Sequence, residues 1–115
     1  MMLSEKQRLF ASTISRFQIW IIKQGYEFTY GDAYRDPRVF GKFGDRAGYG
    51  APTSCHKLRL ALDINLFVDG EYITDGDHPA YKALGEKWES MHALAKWGGR
   101  FNDANHFSFA HGRHA

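Results

Sequence analysis

The chain has 115 residues, an apolar share of 43% and a formal net charge of +2. That apolar share excludes disorder, and a chain of this length buries roughly 65% of its unfolded surface, which suits one domain over residues 1–115 with one modest core. The Lys and Arg residues are scattered and form no basic stripe, which argues against nucleic acid as a partner; a mild positive charge suits a polyanion such as a cell-wall polymer.

The first predicted element is a helix from about Ser4 to Gln24. Ser4 and Gln7 have capping-box spacing, and Gly25 is a natural stop. Leu3, Phe10, Ile14, Phe17 and Ile21 recur at helical spacing and read as its core stripe. Tyr26 to Tyr30 reads as a short strand. From Gly31 to Pro52 there are five Gly and two Pro among charged and aromatic residues. This reads as a long irregular segment, with a helical turn after Pro37, of the kind that carries function in compact domains.

Leu60 to Val68 alternates as a strand. Leu60, Leu62, Ile64 and Leu66 point one way, and Ala61, Asp63, Asn65 and Phe67 the other. Asp69-Gly70 signals a hairpin, with Glu71 to Thr74 as the return strand. A second helix is predicted from about His78 to Lys96, with Pro79 in its first turn, a stripe of Tyr81, Leu84, Trp88, Met91 and Ala95, and a stop at Gly98 and Gly99. His106 to Ala110 reads as the last strand. The pattern predicts an α+β domain: a small antiparallel sheet with flanking helices.

The single cysteine excludes an internal disulfide. The apolar run Phe17 to Ile22 is far too short to span a bilayer, so no stable membrane insertion is expected, and no signal peptide is visible.

Two polar clusters sit in apolar or aromatic surroundings: Ser54-Cys55-His56 with Asp63, and Asp103 with His106. They supply two histidines and two carboxylates. Three such side chains can hold one zinc ion with water at the fourth corner, and the remaining carboxylate can take a proton. Each cluster also has a plainer reading. His56 and Asp63, seven apart, could be ordinary hydrogen-bonded residues, although a carboxylate in an apolar strand is costly to bury unless paired or metal-bound. Asp103 could simply close an Asx-turn.

Together the clusters resemble a known family. Ser54-Cys55-His56 through Ala61 and Asp63 is similar to the SxHxxGxAxD motif of VanY-like D-Ala-D-Ala carboxypeptidases and L-alanyl-D-glutamate endopeptidases, zinc peptidases of the Hedgehog/DD-peptidase fold. Trp97-Gly98-Gly99 followed by Asp103 and His106-Phe107 resembles the family's WGG…DxxHF ending, and Tyr34-Arg35 its preceding YR. The resemblance runs from about Tyr30 to Phe109, and the compact size is similar to that of phage endolysins.

The resemblance implies that His56, Asp63 and His106 bind one zinc ion per chain and that Asp103 is the general base. It implies that Arg35 contacts substrate or a developing oxyanion, and that Ser54 supports substrate or the first histidine. The expected activity is hydrolysis of the peptidoglycan stem peptide at L-Ala–D-Glu, by a monomer made in a host cytoplasm and acting on the wall. The alternatives are a D-Ala-D-Ala carboxypeptidase and a non-catalytic zinc-stabilised wall-binding module. The chain departs from the motif at Arg59, where the family has Gly.

The HExxH signature of ordinary zincins is absent. Cys55 beside His56 reads poorly as a thiol dyad, because neighbours in an extended segment point apart. His78 and His92 read as helix surface or cap residues, His111 and His114 as a polar tail, and Glu86 and Glu89 as a solvated helix face. Trp97 reads as much as a substrate-binding wall of the site as a core residue.

Overall fold

The computed structural model describes residues 1–31 and 55–112. Helix α1 spans Leu3–Lys23, with Phe10, Ile14, Phe17 and Ile21 buried, as their spacing predicts. Leu3, at the helix start, is exposed rather than core. The Ser4–Gln7 capping box does not form. Met2 is the N-cap and gives no side-chain cap, while Gln7 Nε2 donates to the Leu58 carbonyl at 2.8 Å. Gln7 thus ties α1 to the segment that carries His56. Gly25 ends the helix with a left-handed φ of +86°, which glycine adopts without a Cβ penalty.

Strand β1 (Glu27–Tyr30) pairs antiparallel with β2 (Ala61–Val68). Asp69 and Gly70 both take positive φ, as a type I′ hairpin requires, and return the chain in the short strand β3 (Glu71–Tyr72). Helix α2 spans Pro79–Met91. His78 caps it by accepting the Ala80 N–H at 3.0 Å.

The predicted second helix was five residues too long. It ends at Met91, and Ala95–Trp97 instead forms strand β4. Pairing with the open edge of β5 (His106–Phe109) supplies ladder hydrogen bonds that a longer helix would not offer that edge. Ala95 is buried as predicted, but as a strand residue beside exposed Lys96 and buried Trp97. Glu89 is also not on a solvated face. It accepts the Trp97 backbone N–H at 3.2 Å and the Arg100 guanidinium at 2.8 Å, so it fastens α2 to the end of β4.

The sheet runs β1-β2-β5-β4, with β3 on β2, and every pairing is antiparallel. The α+β architecture expected from the sequence is therefore present. Both helices cover one face. Phe17 of α1 and Trp88 of α2 meet at 5.2 Å between ring centroids, and both rings contact Phe107. Trp88 Nε1 reaches the Lys96 and Ser108 carbonyls, each at 3.1 Å, and so satisfies its buried N–H. Alternation along β2 and β5 sends Leu62, Ile64, Phe107 and Phe109 into this core and Asp63 and His106 to the opposite face. No helix among the described residues is long and apolar enough to cross a membrane.

A 3-10 turn over Cys55–Leu58 leads into β2. Arg59 follows it with φ +57°, in the left-handed region. A Cβ there costs roughly 1–2 kcal/mol. Arg59→Gly should therefore be about 1 kcal/mol more stable than Arg59→Ala by denaturant melts, since both lose the arginine side chain and only alanine keeps the strain. Equal stabilities would show that the turn carries no such strain.

Candidate metal centre

Three elements converge on one point. The 3-10 turn brings His56, the middle of β2 brings Asp63, and the start of β5 brings His106, which is the register partner of Asp63. All three are buried, with relative exposures of 1%, 9% and 5%. His56 Nε2 lies 3.0 Å from Asp63 Oδ1 and 3.2 Å from His106 Nδ1, and His106 Nδ1 lies 3.4 Å from Asp63 Oδ1.

These spacings test whether the group could hold a metal. Ligand bonds of about 2.0–2.1 Å in a tetrahedron set donor atoms about 3.3 Å apart. The three observed edges bracket that value, and the donor set of two imidazoles and one carboxylate fits a divalent metal. Three acceptor lone pairs this close in a buried site also need a shared proton or cation between them. The group could therefore hold a metal ion.

Burial pushes the Asp63 carboxyl up, but hydrogen bonds with His106 and His56, and their proximity, outweigh it and bring it down to about 2. Asp63 is thus an anion at neutral pH, as a ligand carboxylate must be. Among the described residues, His106 Nε2 is buried with no hydrogen-bond partner. The Phe101 ring stands edge-on to the His106 ring at 6.0 Å.

Asp103 sits at the rim. Its carboxylate Oδ2 is 4.0 Å from His106 Nδ1, and its side chain is 54% exposed. The loop that holds it is tightly closed. Asp103 N–H donates to the Gly98 carbonyl at 2.8 Å, and His106 N–H to the Asp103 carbonyl at 3.0 Å. Asn102 turns the chain with φ +62°.

Trp97 is 6% exposed, and its Nε1 donates to the Ala104 carbonyl at 2.7 Å. Its indole packs where a Cβ on Gly85 or Gly99 would stand, at 2.0 and 2.1 Å. The side chain is therefore a prop beneath the loop rather than an open substrate wall. A single close-packed role accounts for the Trp-Gly-Gly run, with the two glycines giving the ring and the Asp103 carbonyl room.

Arg35 and Ser54 lie outside the described residues, as do Tyr34, His114 and most of the Gly-rich segment. Cys55 is fully buried, and burial pushes its thiol up to about 11 despite a backbone hydrogen bond at His111 and the charge of Lys6. A thiol of that kind is a poor nucleophile at neutral pH. The folded protein should resist iodoacetamide until denaturant is added, a result read by mass spectrometry; rapid labelling of the native chain would contradict it.

Sequence reasoning missed three contributors. Gln7 anchors the His56 turn and Glu89 anchors the Trp97 end, and neither long-range contact leaves a local signal. Asn105 did have one, as a polar residue just before a predicted ligand. No protein-family model matches the chain, and no curated protein matches it. The geometry of the centre is thus the main guide to its chemistry.

Proposed function

We propose that the protein is a zinc-dependent peptidase that hydrolyses the stem peptide of bacterial peptidoglycan at the L-Ala–D-Glu bond. The observation that carries this reading is the buried triangle of His56 Nε2, Asp63 Oδ1 and His106 Nδ1, with edges of 3.0–3.4 Å and a separate exposed carboxylate, Asp103, 4.0 Å from one corner. A metal site built only to staple a fold has no use for that fourth group.

Zinc bound by the triad would act as a Lewis acid, polarising a carbonyl and making water a better nucleophile at neutral pH. The chain's own residues supply the rest. Asp63, held anionic, offsets the ion's charge. Asp103 is close enough to take a proton from an attacking water and exposed enough to pass it to the leaving amine. The loop from Gly98 to His106 keeps base and ligand in fixed relation.

The motif resemblance gains weight from Arg59. The family has glycine at that position, and the backbone of this chain takes a conformation that favours glycine there. In this reading Arg35 steadies substrate or oxyanion, Ser54 assists at the first histidine, and the protein acts as a monomeric phage endolysin on the host wall. D-Ala-D-Ala carboxypeptidase activity is the second reading on the same centre.

Purified peptidoglycan digested with zinc-loaded protein and examined by mass spectrometry separates them. Cleavage at L-Ala–D-Glu leaves fragments with a free glutamate amine, and carboxypeptidase action releases single alanines. Unaltered muropeptides would leave the chain as a non-catalytic zinc-stabilised module.

A further inference from the structure

The face of β2 that carries Asp63 holds a second polar feature which the proton chemistry does not use. Asn65, two residues beyond Asp63, faces the same side of the sheet. Asn105 immediately precedes His106, and its Nδ2 donates to Asn65 Oδ1 at 3.1 Å. Both residues are half-buried. The backbone carbonyl of Asn105 accepts the Ile64 N–H at 2.8 Å, which fixes the residue against β2.

Each carboxamide keeps a free group after that one bond. Among the described residues, Asn65 Nδ2 and Asn105 Oδ1 have no partner. Exchanging both amide orientations leaves the same offer, one free donor and one free acceptor on the hydrogen-bonded pair. That offer is complementary to the N–H and C=O of one residue in an extended peptide, which point to the same side of the strand. A donor or acceptor left unpaired when it is buried costs its desolvation penalty, so a guest that matches both groups is favoured.

A Cβ on Gly31 would stand 3.0 Å from Asp63 Cβ and 3.6 Å from Asn65 Nδ2. The bare backbone of Gly31 therefore puts no side chain against Asp63 and Asn65 at that position. Asn105 also lines a cleft of about 290 Å³ with Tyr72, Thr74, Tyr81, Asn102 and Asp103. Among the described residues, Asp103 is the one charged group that lines this cleft. The cleft suits neutral hydrogen-bonding groups, not a free carboxylate.

We infer that the Asn65–Asn105 pair is a peptide-binding clamp that holds the N–H and C=O of one residue of an extended ligand beside the metal triad. The ligand class rests on the peptidase reading, while the clamp itself is read from binding. The pair positions substrate and takes no part in proton transfer.

The test uses zinc-loaded Asp103→Asn protein, so that binding is seen without turnover, titrated with the stem tripeptide L-Ala–D-Glu–L-Lys. The side-chain NH2 resonances of Asn65 and Asn105 should shift on saturation. Adding Asn105→Ala should weaken Kd about tenfold, the loss of one matched buried hydrogen bond, with zinc content unchanged. Asn65→Ala serves as the second variant, with the same expectation, should the first fail to fold. Unshifted resonances, an unchanged Kd, or loss of zinc with the affinity would overturn the clamp. Tripeptide binding by a protein that leaves intact walls uncut would retain the clamp and remove the peptidase reading.

Discussion

Asp103→Asn should retain zinc and fold and lose hydrolysis of wall peptides by roughly 10²- to 10⁴-fold, the usual contribution of a positioned base. The substitution keeps the shape of the side chain and removes its ability to take a proton. Because the side chain is 54% exposed, and its backbone contacts to Gly98 and His106 do not involve the carboxylate, the melting temperature should stay near the parent's; exposed substitutions usually change stability by less than about 0.5 kcal/mol. Steady-state hydrolysis of a stem peptide, with metal content measured on the same samples, reads both halves. Turnover near the parent rate would assign the base elsewhere.

The second large effect is on the loop itself. A Cβ on Gly98 would stand 2.1 Å from the Asp103 carbonyl oxygen and 2.7 Å from His106 Cβ. Neither atom is the end of a flexible side chain, so the loop must move. Gly98→Ala should cost about 3 kcal/mol, the upper end of ordinary overpacking, and should loosen zinc, because the displaced backbone carries His106, a candidate ligand, and Asp103, the proposed base. Urea melts and the rate of zinc loss to a chelator check this. A variant with parental stability and parental zinc retention would show that the loop relaxes freely and that the Trp-Gly-Gly run has no role in holding the site.

Much of this arrangement was legible in the sequence where local periodicity and burial agree. Phe10, Ile14, Phe17 and Ile21 mark the buried stripe of α1, and the alternation from Leu60 to Phe67 marks both the strand and the separation of its greasy face from the face of Asp63. The Asp69-Gly70 turn needed only its residue types. The errors fall where a distant partner decides. Ala95 continues the helical stripe of α2 and equally alternates with Trp97, and only the free edge of β5 selects the strand. Ser4 and Gln7 had the right spacing for a cap, but the Leu58 carbonyl takes the Gln7 amide. Glu89 looked solvated because its partners, Trp97 and Arg100, come from the far side of that misread boundary.

The candidate ligand group follows the same rule. His56, Asp63 and His106 were named from motif order, and antiparallel pairing of β2 with β5 places Asp63 opposite His106. Spacing alone left open whether the clusters met, since fifty residues separate the two histidines. The role of Gly98 was invisible in one dimension, because the atoms it makes room for are brought back by the turn at Asn102.

The most direct test is elemental analysis of tag-free protein after dialysis against zinc and then metal-free buffer, beside His106→Ala treated the same way. One zinc per chain in the parent and a clear loss in the variant is the expected result, since two remaining ligands hold the ion poorly. Equal zinc in both proteins, or none in the parent, would contradict a metal centre at His56, Asp63 and His106.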